Sequence, residues 1–211
     1  HLLRLHDGED GLMLGEFVGR FVWLRIHQNY GEVAAGEVVK LLAIEWLLLQ
    51  NPHAHFDAQR PRLPGQQYPG LGMAREVLIL LKIMAEQLER EGLLVFPEYY
   101  HNAFLYDLAF RFLSPTREGE LHALERDLNP LTLAEASWAV ENNLVIDEHS
   151  GEPYYWHAEE MILPLSKRLE SYLNSPEYQT EMARVTAECR FCYDPQQVQS
   201  LISKVHAEEN N

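Results

Sequence analysis

A mixed α/β fold, with a central sheet flanked by helices and a mainly helical C-terminal extension, is what this sequence predicts. Three observations carry that expectation. Phe21-Val22-Trp23-Leu24 and Leu41 to Leu49 are apolar, β-capable runs separated by glycines. Between Gly70 and Glu91 there is no proline, and Leu71, Leu78, Leu81, Ala85 and Leu88 recur at helical steps. Leu93-Leu94-Val95-Phe96 then reads as a short strand ended by Pro97. Strand, helix and strand in that order imply a sheet with a helix packed on it.

Each element has a local reason. Residues 11–50 read as mostly extended, and Asn51-Pro52 closes the second run. Val38 to Leu49 also fits a buried helix, because a short continuous apolar run does not separate the two by periodicity. Phe56 to Pro69 holds three prolines and a glycine and reads as a stiff loop. Gly92 is the expected stop for the long helix. Tyr100 to Phe110 reads as a second helix. Beyond Ser114-Pro115 the character changes. Thr132-Leu133-Ala134-Glu135 is a capping box that opens a helix. Val145 to Trp156 reads as a hairpin turning at His149-Ser150-Gly151. Ser175-Pro176 and Asp194-Pro195 each pair a cap with proline at the first helical position. The boundary expected from this change divides residues 1–115 from an extension at 116–211.

Composition narrows the function. The chain has 211 residues, 46% of them hydrophobic, which suffices for a packed core. Seventeen basic residues stand against 32 acidic ones, a net charge of −15, which argues against a nucleic-acid partner. No apolar run approaches the ~18–20 residues of a membrane span. No secretory leader is read, and Cys189-Arg190-Phe191-Cys192 follows a helical stretch with no second pair to complete a zinc site. A cytoplasmic protein is expected.

The chemistry lies between residues 56 and 110. A glycine loop at a helix N-terminus is an anion site, because the first turn leaves N–H groups unpaired and the helix dipole adds partial positive charge. Gly70 and Gly72 allow close approach of a phosphate to the backbone. Arg60, Arg62, Arg75 and Lys82 make this the locally basic part of an acidic chain. Gln67-Tyr68-Pro69-Gly70-Leu71-Gly72 resembles the pyrophosphate loop of the GNAT acyltransferase superfamily, Gln/Arg-x-x-Gly-x-Gly/Ala. Leu105-Tyr106-Asp107-Leu108-Ala109-Phe110 resembles that family's later Leu-Tyr-x-x-x-Gly-Phe helix, with one residue fewer and alanine in place of glycine. The resemblance covers about 80 of the 211 residues.

That resemblance implies a GNAT-like mixed sheet and a CoA-dependent N-acyltransferase that uses acetyl-CoA or another acyl-CoA as co-substrate. It implies CoA contacts at Gln67, Tyr68, Gly70, Leu71 and Gly72, with Arg60, Arg62 and Arg75 near the phosphates. Glu45 is the candidate base for the amine, and Tyr106 the candidate proton donor to the departing thiolate. The acceptor would be a small-molecule or protein amine, and a homodimer is compatible. The alternative is a GNAT-like module that binds CoA without turnover. His53-Ala54-His55, with Asp57, offers a metal reading if it lies on a strand, where both imidazoles would share a face. It lacks a third ligand at a diagnostic spacing, so no metal site is assigned.

Overall fold

The computed structural model describes residues 1–8, 11–26, 34 and 36–209, with Glu208 and Glu209 described by their backbone alone. The chain is mixed α/β. A six-stranded mixed sheet carries the fold, with helices against it and concentrated toward the C-terminus. In chain order the elements are β1 (Leu2–His6), β2 (Met13–Arg25), β3 (Val38–Leu49), α1 (Ala74–Gln87), β4 (Gly92–Val95), α2 (Tyr100–Tyr106) and β5 (Arg111–Phe112). Then follow α3 (Pro115–Leu128), α4 (Leu133–Glu141), β6 (Val145–Asp147), β7 (Met161–Pro164), α5 (Lys167–Leu173), α6 (Pro176–Glu188), β8 (Phe191–Tyr193) and α7 (Pro195–Glu209).

The sheet order is β1-β2-β3-β4-β7-β5. β1, β2 and β3 form an antiparallel meander. β3 and β4 run parallel, joined through α1. β7 lies antiparallel between β4 and β5, so residues beyond Ser114-Pro115 complete the main sheet. The run at 38–49 is thus a strand and not a helix. Leu41, Leu42, Ala43 and Ile44 are all buried, because β3 is central and covered on both faces. Of the extended stretch expected over 11–50, residues 27–33 and 35 lie outside the described residues.

The long helix is shorter than its periodicity predicted. Leu81 and Ala85 are its buried residues, whereas Leu88 is exposed and Leu71 precedes the helix. The stop is not Gly92. Glu89 takes the left-handed conformation at φ 53°, Glu89 N–H bonds the Glu86 carbonyl, and Arg90 N–H bonds the Ala85 carbonyl. This is a Schellman ending with a non-glycine at its left-handed position. Gly92 serves packing instead. A Cβ there would meet the Leu163 carbonyl oxygen at 2.7 Å, where β4 is squeezed against β7.

α2 ends at Tyr106, four residues before the expected Phe110. Phe110 N–H still bonds the Tyr106 carbonyl, and the chain then enters β5. The Thr132–Glu135 capping box and the Ser175 cap are present as expected. The expected hairpin at 145–156 is present as a short antiparallel pair about its turn, closed by Tyr154 N–H on the Val145 carbonyl and also by Asp147 N–H on the Glu152 carbonyl. The strand partner of β6, however, is β8. Only an isolated bridge joins Ile146 to Pro153.

The β5 edge is covered by C-terminal helices. Tyr178 and Tyr172 hydroxyls donate to the carbonyls of Phe112 and Leu113, both at 2.7 Å. α3 approaches α6 closely at Gly119, where a Cβ would meet the Met182 carbonyl at 2.6 Å. Arg117, nearly buried, donates to the Tyr154 hydroxyl and the His157 carbonyl. Its guanidinium also lies over the Phe112 and Trp156 rings, which ties segment 154–157 to α3.

Candidate functional site

The parallel pairing of β3 with β4 stops at Ile44–Val95, although β3 runs five residues further. Two features separate the strands. A bulge opposite Val18 and Gly19 leaves Glu45 as the extra residue of β3, which bends the strand. On β4, Phe96-Pro97 ends the ladder, since proline has no N–H to give. Residues 45–48 therefore continue along β2 with no strand on their other side among the described residues.

A cleft of about 460 Å³ fills this opening. Its β3 wall runs from Ile44 to Gln50. Val95 to Glu98 and the α2 residues His101, Asn102, Leu105 and Tyr106 form the opposite wall, and Pro64 to Gln67 close one end. The lining is mixed, its polar and apolar surface nearly equal, with Trp46, Phe96 and Leu105 exposed in it. Polar groups converge in it from Glu45, Gln50, Gln66, Gln67, Glu98, His101 and Asn102. A groove of this volume that offers both apolar surface and polar groups can take a small molecule or cofactor chain.

The glycine loop docks on the far end of β3. Asn51 N–H donates to the Pro69 carbonyl at 2.7 Å, Leu71 N–H to the Leu49 carbonyl at 3.4 Å, and Gly70 bridges Gln50. Gly72 sits at φ +73°, which glycine adopts without strain, and open space surrounds the position of its missing Cβ. α1 starts immediately afterwards. Its N-cap, Met73, has no side-chain acceptor, so no side chain caps the first-turn N–H groups.

The residues chosen from sequence divide into two groups. Glu45, Gln67 and Tyr106 line the cleft; Tyr68, Gly70, Leu71, Gly72, Arg60, Arg62 and Arg75 do not. Arg62 is turned inward, its Nε donating to the Gln66 carbonyl at 2.8 Å, and so braces the loop. Arg60 pairs with Asp57 at 3.0 Å, an exposed contact that holds the Asp57 carboxyl below its usual range. Arg75 is exposed in the first turn of α1. Glu45 is bound to Arg20 at 2.6 Å across the β2–β3 ladder. Burial raises the Tyr106 hydroxyl above the ordinary tyrosine value, so it holds its proton at neutral pH.

The condition for the metal reading at His53 and His55, a position on a strand, is not met. They sit in the turn after β3, and His53 Nε2 lies 2.9 Å from Asp7 Oδ2 on the surface. Sequence reasoning missed His101. It is only 4% exposed, it stacks on Tyr99 with ring centroids 5.4 Å apart, and its Nδ1 is buried without a hydrogen-bond partner among the described residues. Burial lowers its pKa to about 4, so the imidazole is neutral. No sequence pattern marks this histidine; only the split of the sheet brings α2 to the cleft.

Comparison with protein-family models, curated proteins and solved structures finds no match to this chain. Among the described residues, no helix is long and apolar enough to cross a membrane.

Proposed function

We propose that this protein is an acyl-CoA-dependent N-acyltransferase of GNAT-like architecture that uses acetyl-CoA or a related acyl-CoA. The observation that carries the reading is the cleft where β3 and β4 part, with the Gln67–Gly72 loop and the uncapped α1 N-terminus at the end of the same strand. The pantetheine arm and acyl group would lie in this cleft, where, among the described residues, the backbone of residues 45–48 has no second strand beside it and is free to bond an extended chain. The pyrophosphate would meet the first-turn N–H groups of α1. The sheet order, with β7 inserted between β4 and β5, supports the same reading.

In this mechanism a backbone N–H of β3 polarises the thioester carbonyl. Glu45 takes the proton of the amine after exchanging its Arg20 partner, and Tyr106 protonates the departing thiolate. The acceptor is a small-molecule or protein amine. The compartment is the cytoplasm, in keeping with free thiols at Cys189 and Cys192. A CoA-binding module without turnover is the second reading. The Glu45–Arg20 ion pair favours it, because a carboxylate held in an ion pair is a poorer base.

The test is a thermal shift with acetyl-CoA on the parent chain and on Gly70→Glu. The substitution fits the fold, since the new Cβ would meet only the Leu49 carbonyl at 3.7 Å. A carboxylate there repels pyrophosphate, so the parent should be stabilised and the variant not. Equal shifts, or none for the parent, would overturn the reading. Amine-dependent release of free CoA then separates the enzyme from the binding module.

A further inference from the structure

Glu118, His122 and Glu125 recur at four- and three-residue steps along α3, which places them on one helix face. That face meets the C-terminal end of α2, where Asp107 is the capping residue. His122 Nε2 lies 3.8 Å from Asp107 Oδ2 and 3.9 Å from Glu118 Oε1. Both separations are longer than a hydrogen bond. Donor atoms of Asp107, His122 and Glu125 all lie within 4.8 Å of one another. Around a tetrahedral ion with bonds near 2.0–2.1 Å, ligand atoms stand roughly 3.4 Å apart, so rotamer adjustments of about 1 Å would close the set.

Two further observations point to a missing partner. Asp107 Oδ1 is buried with no hydrogen-bond donor among the described residues. Nor does a lysine or arginine come within ion-pairing distance of Asp107 or Glu125 among those residues, because Arg111 is taken by Glu118. Glu118 itself is fully committed, accepting from Arg111 Nη1 at 2.7 Å and from Phe112 N–H at 2.8 Å. It forms a fixed outer wall and is not a ligand.

We propose that Asp107, His122 and Glu125 bind one divalent transition-metal ion of the zinc class. One imidazole and two carboxylates form a donor set suited to such ions, whereas Ca²⁺ and Mg²⁺ favour oxygen alone. Three protein ligands leave a coordination position for water. Asp107 and His122 keep about a fifth and a quarter of their side chains exposed, so an ion can enter. None of the three lines the cleft, and the site does not depend on the acyl-transfer reading.

The experiment is calorimetric titration of EDTA-stripped protein with ZnCl₂, with CoCl₂ as the spectroscopic stand-in. One equivalent should bind, and Co²⁺ should give visible ligand-field bands. His122→Ala, Asp107→Asn and Glu125→Gln should each weaken binding at least tenfold, whereas His53→Ala should leave it unchanged. Circular dichroism identifies any variant that has not folded, and His122→Gln then replaces His122→Ala. The absence of saturable Zn²⁺ binding would overturn the proposal, as would binding that survives loss of His122 or vanishes with His53.

Discussion

Glu118 is the most completely buried charged side chain among the described residues, at 0% exposure. Its two oxygens hold the start of β5 against α3 through the Phe112 N–H and Arg111. Glu118→Ala removes both acceptors. The buried Phe112 N–H is then unsatisfied, which costs ~1–3 kcal/mol. Arg111 keeps 43% of its side chain exposed and can turn to water, so its loss adds at most ~1 kcal/mol and not the ~3–5 kcal/mol of a fully buried broken pair. The expected total is about 3 kcal/mol, or a fall in Tm of ~6–12 °C for a chain of this size. Glu118→Gln retains one carbonyl oxygen for the Phe112 N–H and should cost roughly half as much. Urea unfolding followed by circular dichroism measures both. If Glu118→Ala lies within 1 kcal/mol of the parent, or glutamine costs as much as alanine, the reasoning fails.

Two further outcomes follow from the same kind of accounting. His101 has a folded pKa of about 4, below its unfolded value of ~6.5, so the unfolded chain binds the proton first as pH falls. Stability should therefore decline between about pH 6.5 and 4, by up to ~3 kcal/mol, and His101→Phe should remove that part of the slope; a pH series of urea midpoints with identical slopes would refute it. Arg168 clasps Glu91 with two hydrogen bonds and also reaches Glu37 and the Val38 carbonyl, joining α5 to the entries of β3 and β4. Burial tends to raise the Glu91 carboxyl, but Arg168 and the Lys40 N–H outweigh it and hold the pKa below the ordinary value. The clasp is partly exposed, so Arg168→Met should cost about 1–2 kcal/mol above the unfolded glutamate pKa. The deficit should shrink in acid, as Glu91 becomes protonated; an unchanged deficit at low pH would show that packing dominates.

Local chemistry made much of the chain legible from its sequence. The Thr132–Glu135 capping box and the Ser-Pro and Asp-Pro starts of the C-terminal helices are satisfied within a few residues, so Thr132, Ser175 and Asp194 announce them directly. The β3-α1-β4 succession follows from apolar runs and proline punctuation, which act at equally short range. The ends of α1 and α2 were less legible, because Glu89 accepts a left-handed conformation usually given to glycine, and α2 stops where the chain must enter β5.

What the residues do depended on contacts across long sequence distances. Gly92 reads as a helix stop until β7, some 70 residues later, is seen to press against it. Arg62 and Glu45 carry the same charges in sequence and structure, yet one is spent bracing a loop and the other is held by Arg20. β6 finds its partner in β8, and no local pattern encodes that choice. The sequence by itself determined a mixed α/β chain with a glycine loop opening a long helix. Tertiary structure alone decided where β3 leaves β4, which side chains enclose the resulting cleft, and that Asp107 faces His122 and Glu125. Helical and strand periodicity report only which side of an element is apolar, whereas the meeting of two elements is set by the packing of the whole sheet.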